Sequence, residues 1–229
     1  MNRFHPMMLI LAMMLLPLGC AGPPKIIVPA EDGAANIPAV CADIYPRGQW
    51  QFAHAIQVTA PGGSRQTMIG VTRMTSEERA FECAMITLEG LVLFEATYDG
   101  TGIQVQRAVP PMDKPGFAQG MIEDILLIFF PPILGPTTAG TLKEGARICR
   151  YPTGDGGTQD VVVYPDGRWE IRRYTDQNQL NRTITTDGSE ATHPEGFPAR
   201  LELRAHGAGA YRLNMSMMEA VPTDIELED

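Results

Sequence analysis

Short runs of alternating apolar and polar residues, separated by turn residues, constrain the fold of this chain most strongly. In the first run, residues 49–60, apolar side chains fall on alternate positions, as in a strand with one buried face. The run stops at Pro61-Gly62-Gly63-Ser64. Asp-Gly and Gly-Gly pairs between later runs favour hairpin turns because these residues tolerate a positive φ. Such runs, joined by short turns, predict an antiparallel meander.

The alternation predicts strands on both sides of a central segment. The first group comprises residues 49–60, 65–75, 80–88, 91–98 and 103–109. The second group comprises residues 142–151, 159–164, 168–174, 182–186, 199–205 and 210–219. About eleven strands at this spacing are typical of a sandwich or a barrel.

The central segment, residues 117–130, has helical spacing instead. Its apolar side chains recur three and four positions apart, and Glu123 and Asp124 are expected on the opposite, solvent-facing side. Pro131-Pro132 ends the helix because proline has no backbone N–H to donate. The predicted fold class is therefore mainly β (α+β): an antiparallel sheet with one central apolar helix that the rest of the domain must cover.

The first 19 residues differ from the rest of the chain. Arg3 precedes an apolar run of about a dozen residues, which is shorter than the ~20 residues of a membrane-spanning helix. This pattern is typical of a secretory signal peptide. Residues 16–21, Leu-Pro-Leu-Gly-Cys-Ala, resemble a bacterial lipobox, and the resemblance implies that Cys20 is lipidated. Ala21 follows that cysteine, which by resemblance to enterobacterial lipoproteins implies the outer membrane, with the domain facing the periplasm.

We therefore expect four regions along the chain. Residues 1–19 are the signal peptide, and residues 20–48 are the lipidated cysteine and a flexible tether rich in Gly, Pro and Ala. Residues 49–221 are a single β domain, and residues 222–229 are an acidic tail. Two or more acyl chains on one cysteine would anchor the protein stably in a membrane.

The charge balance excludes some partners. The chain carries 18 Lys and Arg against 27 Asp and Glu, a net charge of −9, and it has no basic block. Nucleic-acid binding requires a dense cationic surface, so we expect no nucleic-acid partner. We also expect a monomer with no cofactor and no metal.

The cysteines Cys41, Cys83 and Cys149 remain after the lipobox. They lack the spacing of metal ligands. In an oxidising periplasm they form either one disulfide plus one buried thiol, or three buried thiols.

The order of these segments resembles that of the LolB family of outer-membrane lipoprotein receptors and of the related periplasmic LolA carriers. Residues 86–94 and 197–203 are similar to stretches in bacterial lipoproteins of this architecture. The resemblance covers about residues 50–219 and implies an open antiparallel half-barrel whose inner face holds acyl chains. In the LolB family an exposed leucine on a protruding hairpin contacts the membrane. The corresponding turn is Thr87-Leu88-Glu89-Gly90, so Leu88 is the candidate for this contact.

The same resemblance implies that apolar side chains of the strands and the helix line a ligand cavity. Methionine suits such a wall because its unbranched side chain adapts to varied shapes. For every candidate, simple core filling is the alternative. The candidates are Phe52, Ile56, Met85, Leu93, Phe117, Met121, Ile125, Phe129, Leu213, Met215 and Met217.

Three functions are compatible with this sequence. The first is a carrier or acceptor that binds acyl chains of lipids or lipoproteins in envelope transport or assembly, with a periplasmic carrier protein as a further partner. The second is a structural or assembly lipoprotein that binds a protein through an exposed apolar patch. The third is an enzyme, but the sequence contains no H-E-x-x-H, G-x-S-x-G or Walker motif, so we expect no catalytic residues.

Overall fold

A computed structural model gives the fold, and it describes residues 22–28, 36–188, 197–207 and 209–223. The signal peptide, Cys20 and residues 224–229 of the acidic tail lie outside the described residues. The helices are α1 (Ile37–Ala42) and α2 (Phe117–Phe129). The strands are β1 (Gln49–Thr59), β2 (Arg65–Thr75), β3 (Ala80–Ile86), β4 (Val92–Tyr98), β5 (Ile103–Ala108), β6 (Thr138–Thr141), β7 (Arg147–Pro152), β8 (Thr158–Val163), β9 (Trp169–Tyr174), β10 (Leu180–Thr186), β11 (Arg200–Ala205) and β12 (Arg212–Pro222).

All of these strands belong to one 12-stranded antiparallel sheet. Its order is β5-β4-β3-β2-β1-β12-β11-β10-β9-β8-β7-β6. Two meanders, β1–β5 and β6–β12, meet where β1 pairs with β12. The sheet stays open, with β5 and β6 as its edges. The mainly β class, the open antiparallel sheet and the apolar helix between the two meanders are confirmed.

The structure has one strand more than expected because β6 lies upstream of the predicted strand 142–151, and the first residues of that predicted strand form a turn. The backbone N–H of Leu142 donates to the carbonyl of Ala146 over 2.8 Å, and that of Gly145 donates to Leu142 over 2.9 Å. Gly145 has a φ of 82°, a backbone conformation that residues with a side chain disfavour. The segment is therefore a hairpin between β6 and β7.

The described residues of the segment expected to be a tether include regular structure that contacts the sheet. Helix α1 lies within it, and Cys41 of α1 forms a disulfide with Cys149 of β7. Further upstream, Ile27 exchanges two backbone hydrogen bonds of 2.9 Å with Thr141 of β6. Cys83 is a buried free thiol, so one disulfide plus one thiol is the arrangement found.

Residues 22–28 and helix α1 contact opposite faces of the sheet near the β6 edge. Ile26 packs on a small apolar cluster that includes Ile148 of β7. The neighbouring residue, Cys149, holds α1, and successive residues of a strand point to opposite faces. Arg150, on the same face as Ile148, donates through Nη2 to the carbonyl of Pro24 over 3.0 Å. These two described segments therefore lie on opposite sides of this edge.

The main core lies on the inner face of the sheet, defined here as the face that α1 and α2 cover. Phe129 of α2 stacks on Phe52 of β1, with ring centroids 5.1 Å apart, and on Phe197 at 5.4 Å. Proline follows the helix at positions 131 and 132, so the helix ends with its aromatic residues inside this core. These ring contacts fix the C-terminal end of α2 against β1.

Candidate ligand cavity

A cavity of about 510 Å³ lies between α2 and the inner face of the sheet. Alternation along β1 directs His54, Ile56 and Val58 into it. Ile56 pairs across the sheet with Met68 of β2 and Met215 of β12, so the three strands present apolar side chains at the same level. The wall is mainly apolar, and its volume lies within the range of small-molecule sites, about 300–1,000 Å³.

The structure brings together most of the predicted cavity residues. Those that line the cavity are Ile56, Met85, Phe117, Met121, Ile125, Phe129, Leu213 and Met215. Phe52 and Leu93 are buried in the core, and Met217 packs against that core, but none of the three lines the cavity. Leu88 lies in the β3–β4 turn outside the lining, and 63% of its surface is exposed.

Two glycines shape the cavity wall. At Gly70 of β2 a Cβ atom would lie 2.5 Å from Cδ1 of Ile56, so the absence of a side chain lets Ile56 pack over this strand. At Gly120 of α2 a Cβ atom would meet nothing within 4 Å. Gly120 therefore leaves the space beneath the helix open.

A polar group interrupts the apolar wall, and the sequence interpretation missed it. Asp124 was expected on the solvent side of the helix, but only 5% of its surface is exposed. The spacing contained a usable signal, because Phe117, Met121 and Asp124 follow one another at intervals of four and three and so share a helix face. The error came from assuming that a carboxylate must face water.

Asp124, Arg182 and Tyr211 form what we call the Asp124 cluster, and all three line the cavity. Nε of Arg182 on β10 donates to Oδ1 of Asp124 over 2.9 Å. The hydroxyl of Tyr211, which directly precedes β12, donates to Oδ2 of the same carboxylate. The Arg182 guanidinium also lies 5.5 Å from the centre of the Tyr211 ring. The cluster therefore links α2 to two strands of the sheet.

The charges of this cluster balance. Burial raises the pKa of Asp124, while the donors Tyr211 and Arg182 act in the opposite direction. Because both carboxylate oxygens accept hydrogen bonds, one of them from a guanidinium, we assign Asp124 as the carboxylate partner of Arg182. Burial raises the pKa of the Tyr211 hydroxyl, which stays a neutral donor. The cluster thus has a formal charge of zero.

The cavity wall also contains His54 of β1 and the thiol of Cys83 on β3. Burial raises the pKa of the Cys83 thiol to about 12, so the thiolate is scarce at neutral pH. Within the described ranges, no group of three or more His, Cys, Asp and Glu side chains is placed to hold a metal ion. No helix among the same residues combines the length and the apolar character needed to cross a bilayer.

Comparison with solved structures identifies relatives by fold. A LolA superfamily protein from Nitrosomonas europaea superposes with a TM-score of 0.60 at 13% identity, covering 84% of this chain and 94% of that chain. A domain described as outer membrane lipoprotein-sorting, from Vibrio parahaemolyticus, gives 0.51 at 12% identity, covering 86% and 96%. A DUF1329 family protein from Desulfovibrio piger gives 0.51 at 9% identity, covering 89% and 96%. These likenesses confirm the predicted LolA/LolB-like architecture.

Comparison with curated proteins finds no match. Residues 51–218 match the model of a family described as a protein of unknown function, DUF3261. The matched region begins in β1 and ends in β12, so it includes both meanders, α2 and the cavity. The chain therefore belongs to the DUF3261 family.

Proposed function

We propose that this protein is a cell-envelope lipoprotein that binds acyl chains of lipids or lipoproteins and acts as their carrier or acceptor. The observation that carries this proposal is the apolar cavity of about 510 Å³ under α2. Each methylene group that leaves water for such a site contributes about 0.8 kcal/mol. An acyl chain therefore gains several kcal/mol from this wall without any specific polar contact.

The composition of the wall supports the same ligand class. Met68, Met85, Met121 and Met215 all line the cavity. Methionine has flexible, unbranched side chains that accommodate ligands of variable shape. Such a wall suits flexible chains that differ in length and unsaturation.

The N-terminal sequence supports attachment to a membrane. We propose that Cys20 is lipidated and anchors the chain in the outer membrane, with the domain facing the periplasm. The disulfide between Cys41 and Cys149 supports an oxidising compartment, because cytosolic proteins rarely keep such bonds. The fold shared with the lipoprotein-sorting domain from Vibrio parahaemolyticus supports a role in lipoprotein traffic.

We assign binding rather than catalysis to the cavity. A nucleophile in an enzyme needs an activating base within hydrogen-bond reach. The Cys83 thiol is held in its protonated form, and both oxygens of Asp124 are engaged by Arg182 and Tyr211. This chemistry suits ligand binding.

A second function is favoured by one surface feature. Ile133 and Leu134, in the loop between α2 and β6, are 80% and 53% exposed. Contiguous exposed apolar surface marks protein-binding sites, and these two neighbouring side chains could form the centre of such a patch. A structural or assembly lipoprotein that binds a protein through this loop is therefore the alternative.

Uptake of an uncharged fluorescent fatty-acyl ester separates the two functions. Met121 is half-buried in the cavity wall, whereas Met218 lies on β12 with 56% of its surface exposed. We expect Met121→Glu to weaken probe binding at least tenfold, because it places an unpaired charge among apolar groups. Met218→Glu is the matched control and should bind like the unmodified protein. Absence of uptake, or equal loss in both variants, would contradict acyl binding in this cavity.

A further inference from the structure

We propose that the cavity takes a single acyl chain and that the Asp124 cluster binds an uncharged polar group at the head of that chain. The expected ligand class is a single-chain amphiphile with an ester, amide or hydroxyl head. This inference rests on the proposed function and narrows its ligands to lipids with one acyl chain.

The volume of the cavity limits the number of chains. An engineered protein cavity of about 150 Å³ accommodates benzene, which has six carbon atoms, or about 25 Å³ per carbon. At that scale, the cavity of about 510 Å³ holds roughly 20 carbon atoms. One chain of about 16 to 18 carbons and its polar linkage would fill it, whereas two such chains would require about twice the volume.

The polar head must lie near the Asp124 cluster. Asp124 and Arg182 are the charged pair of the described cavity wall, and Tyr211 adds its hydroxyl at the same place. The other polar side chains of the described wall, those of His54, Gln66 and Thr72, carry no carboxylate or guanidinium, and His54 lies against the rings of Phe52 and Phe129. A ligand with one polar end and one apolar chain therefore matches the distribution of polarity along the wall.

The charge of the cluster selects an uncharged head. The guanidinium of Arg182 already faces the carboxylate of Asp124, so an additional anion would leave a net charge in a buried site. The net charge of −9 on the whole chain adds to the repulsion of anions. A positively charged ammonium head would likewise leave a net charge in the buried site, but a positive one.

The cluster retains hydrogen-bonding capacity for such a head. A carboxylate has about four acceptor positions, and those of Asp124 receive one bond from Arg182 and one from Tyr211. The guanidinium has five N–H groups, and its bonds to Asp124 and Asn181 use only some of them. The pair can therefore donate to an ester carbonyl and accept from a hydroxyl.

The test compares three lipids with the same chain. The protein from Ala21 onward, which contains every described residue, is titrated at pH 8 with 1-palmitoylglycerol, palmitate and 1,2-dipalmitoylglycerol. We expect 1-palmitoylglycerol to bind one to one and the other two to bind at least tenfold more weakly. Equal or tighter binding of palmitate or of the diacyl lipid would overturn this inference and leave acyl binding intact. Failure of all three to bind would overturn acyl binding as well.

Two variants test the contribution of the cluster. Asp124→Asn leaves the guanidinium of Arg182 without its counter-charge. The affinity for palmitate should therefore rise at least tenfold relative to the affinity for 1-palmitoylglycerol. Tyr211→Phe keeps both charges of the cluster, so it should weaken the binding of 1-palmitoylglycerol without strengthening the binding of palmitate. The second variant preserves the test if the first does not fold. Unchanged lipid preference in the folded variants would overturn the assignment of the head group to this cluster.

Gly120 allows the chain capacity to be tested separately. Gly120 lines the cavity and a Cβ atom there has no neighbour within 4 Å, so a leucine at this position adds four carbon atoms to the cavity wall. We expect the monoacylglycerol that Gly120→Leu binds most tightly to have an acyl chain about four carbons shorter than the one that the unmodified protein prefers. In the control, Gly120→Ala, the preferred chain should be about one carbon shorter. An unchanged preference in Gly120→Leu would overturn the volume argument.

Discussion

Cys41 on α1 is bonded through its sulfur to Cys149 on β7, 108 residues further along the chain. This bond holds α1 on the part of the inner face formed by β7 and β8. The cavity lies elsewhere, where α2 faces β12, β1, β2 and β3, and its wall contains neither cysteine. The inner face therefore has one part closed by a covalently fixed helix and one part that remains open for a ligand.

Removal of this disulfide should lower stability without changing the shape of the cavity. A crosslink across about 100 residues stabilises a fold by about 5 kcal/mol, mainly by restricting the unfolded chain. We expect Cys41→Ser combined with Cys149→Ser to lower the free energy of unfolding in urea by about that amount. Cys83→Ala, which removes a thiol but no crosslink, is the control, and its free energy of unfolding should fall clearly less. Equal stability of the double variant and the unmodified protein would contradict this role.

The ion pair between Arg150 and Asp160 should contribute more than the surface pairs. Arg150 donates to both oxygens of Asp160 over 2.7 Å, and the carboxylate side chain is fully buried. We expect Arg150→Met to cost about 3–5 kcal/mol in urea unfolding, because it leaves a buried charge without its partner. Arg168→Met breaks an exposed pair with Asp166 and should cost less than about 1 kcal/mol.

The same variant tests the attachment of the N-terminal segment. Arg150 also binds the carbonyl of Pro24, so Arg150→Met should speed amide hydrogen exchange in residues 22–28. The amide of Ile27, which donates to Thr141, is the most direct reporter. Unchanged exchange at this amide would show that the segment is held independently of Arg150.

Local sequence patterns predicted the parts of the fold that depend on local chemistry. Glycine and proline between alternating runs located most hairpins, and Pro131 located the end of α2. The β6–β7 turn was missed because Leu142, Ala146 and Ile148 all fall on even positions, as they would in one continuous strand. The docking of Cys41 and Ile26 was missed because it depends on strands more than 100 residues away.

The cavity was predictable only in part for the same reason. Periodicity identifies which side chains share a face, but it does not reveal whether a neighbouring ring fills the space. Phe52 has the same alternation as Ile56, yet Phe129 and Phe197 cover it, whereas the space beside Ile56 stays open. Asp124 shows the converse: a charged residue joins the cavity wall because Arg182 and Tyr211 lie opposite it.

Acid should destabilise the protein through Asp155. The hydroxyl of Thr153 donates to this carboxylate over 2.6 Å and, together with Arg173, lowers the pKa of Asp155 to about 2. A carboxyl group with a lowered pKa stabilises the fold above its unfolded pKa, about 3.9, and loses that contribution as the pH falls through its folded value. We expect Asp155→Asn to flatten the decline in thermal midpoint between about pH 4 and pH 2. An identical decline in the variant would contradict this assignment.

Native mass spectrometry of the chain from Ala21 onward, purified from cells without detergent, tests acyl binding most directly. We expect a fraction of the protein to carry one additional mass that corresponds to a lipid, and the same mass to be lost in Met121→Glu but retained in Met218→Glu. A single unliganded mass, together with no uptake of an added fatty-acyl probe, would contradict the account. That result would favour a protein-binding role for the exposed loop at Ile133 and Leu134.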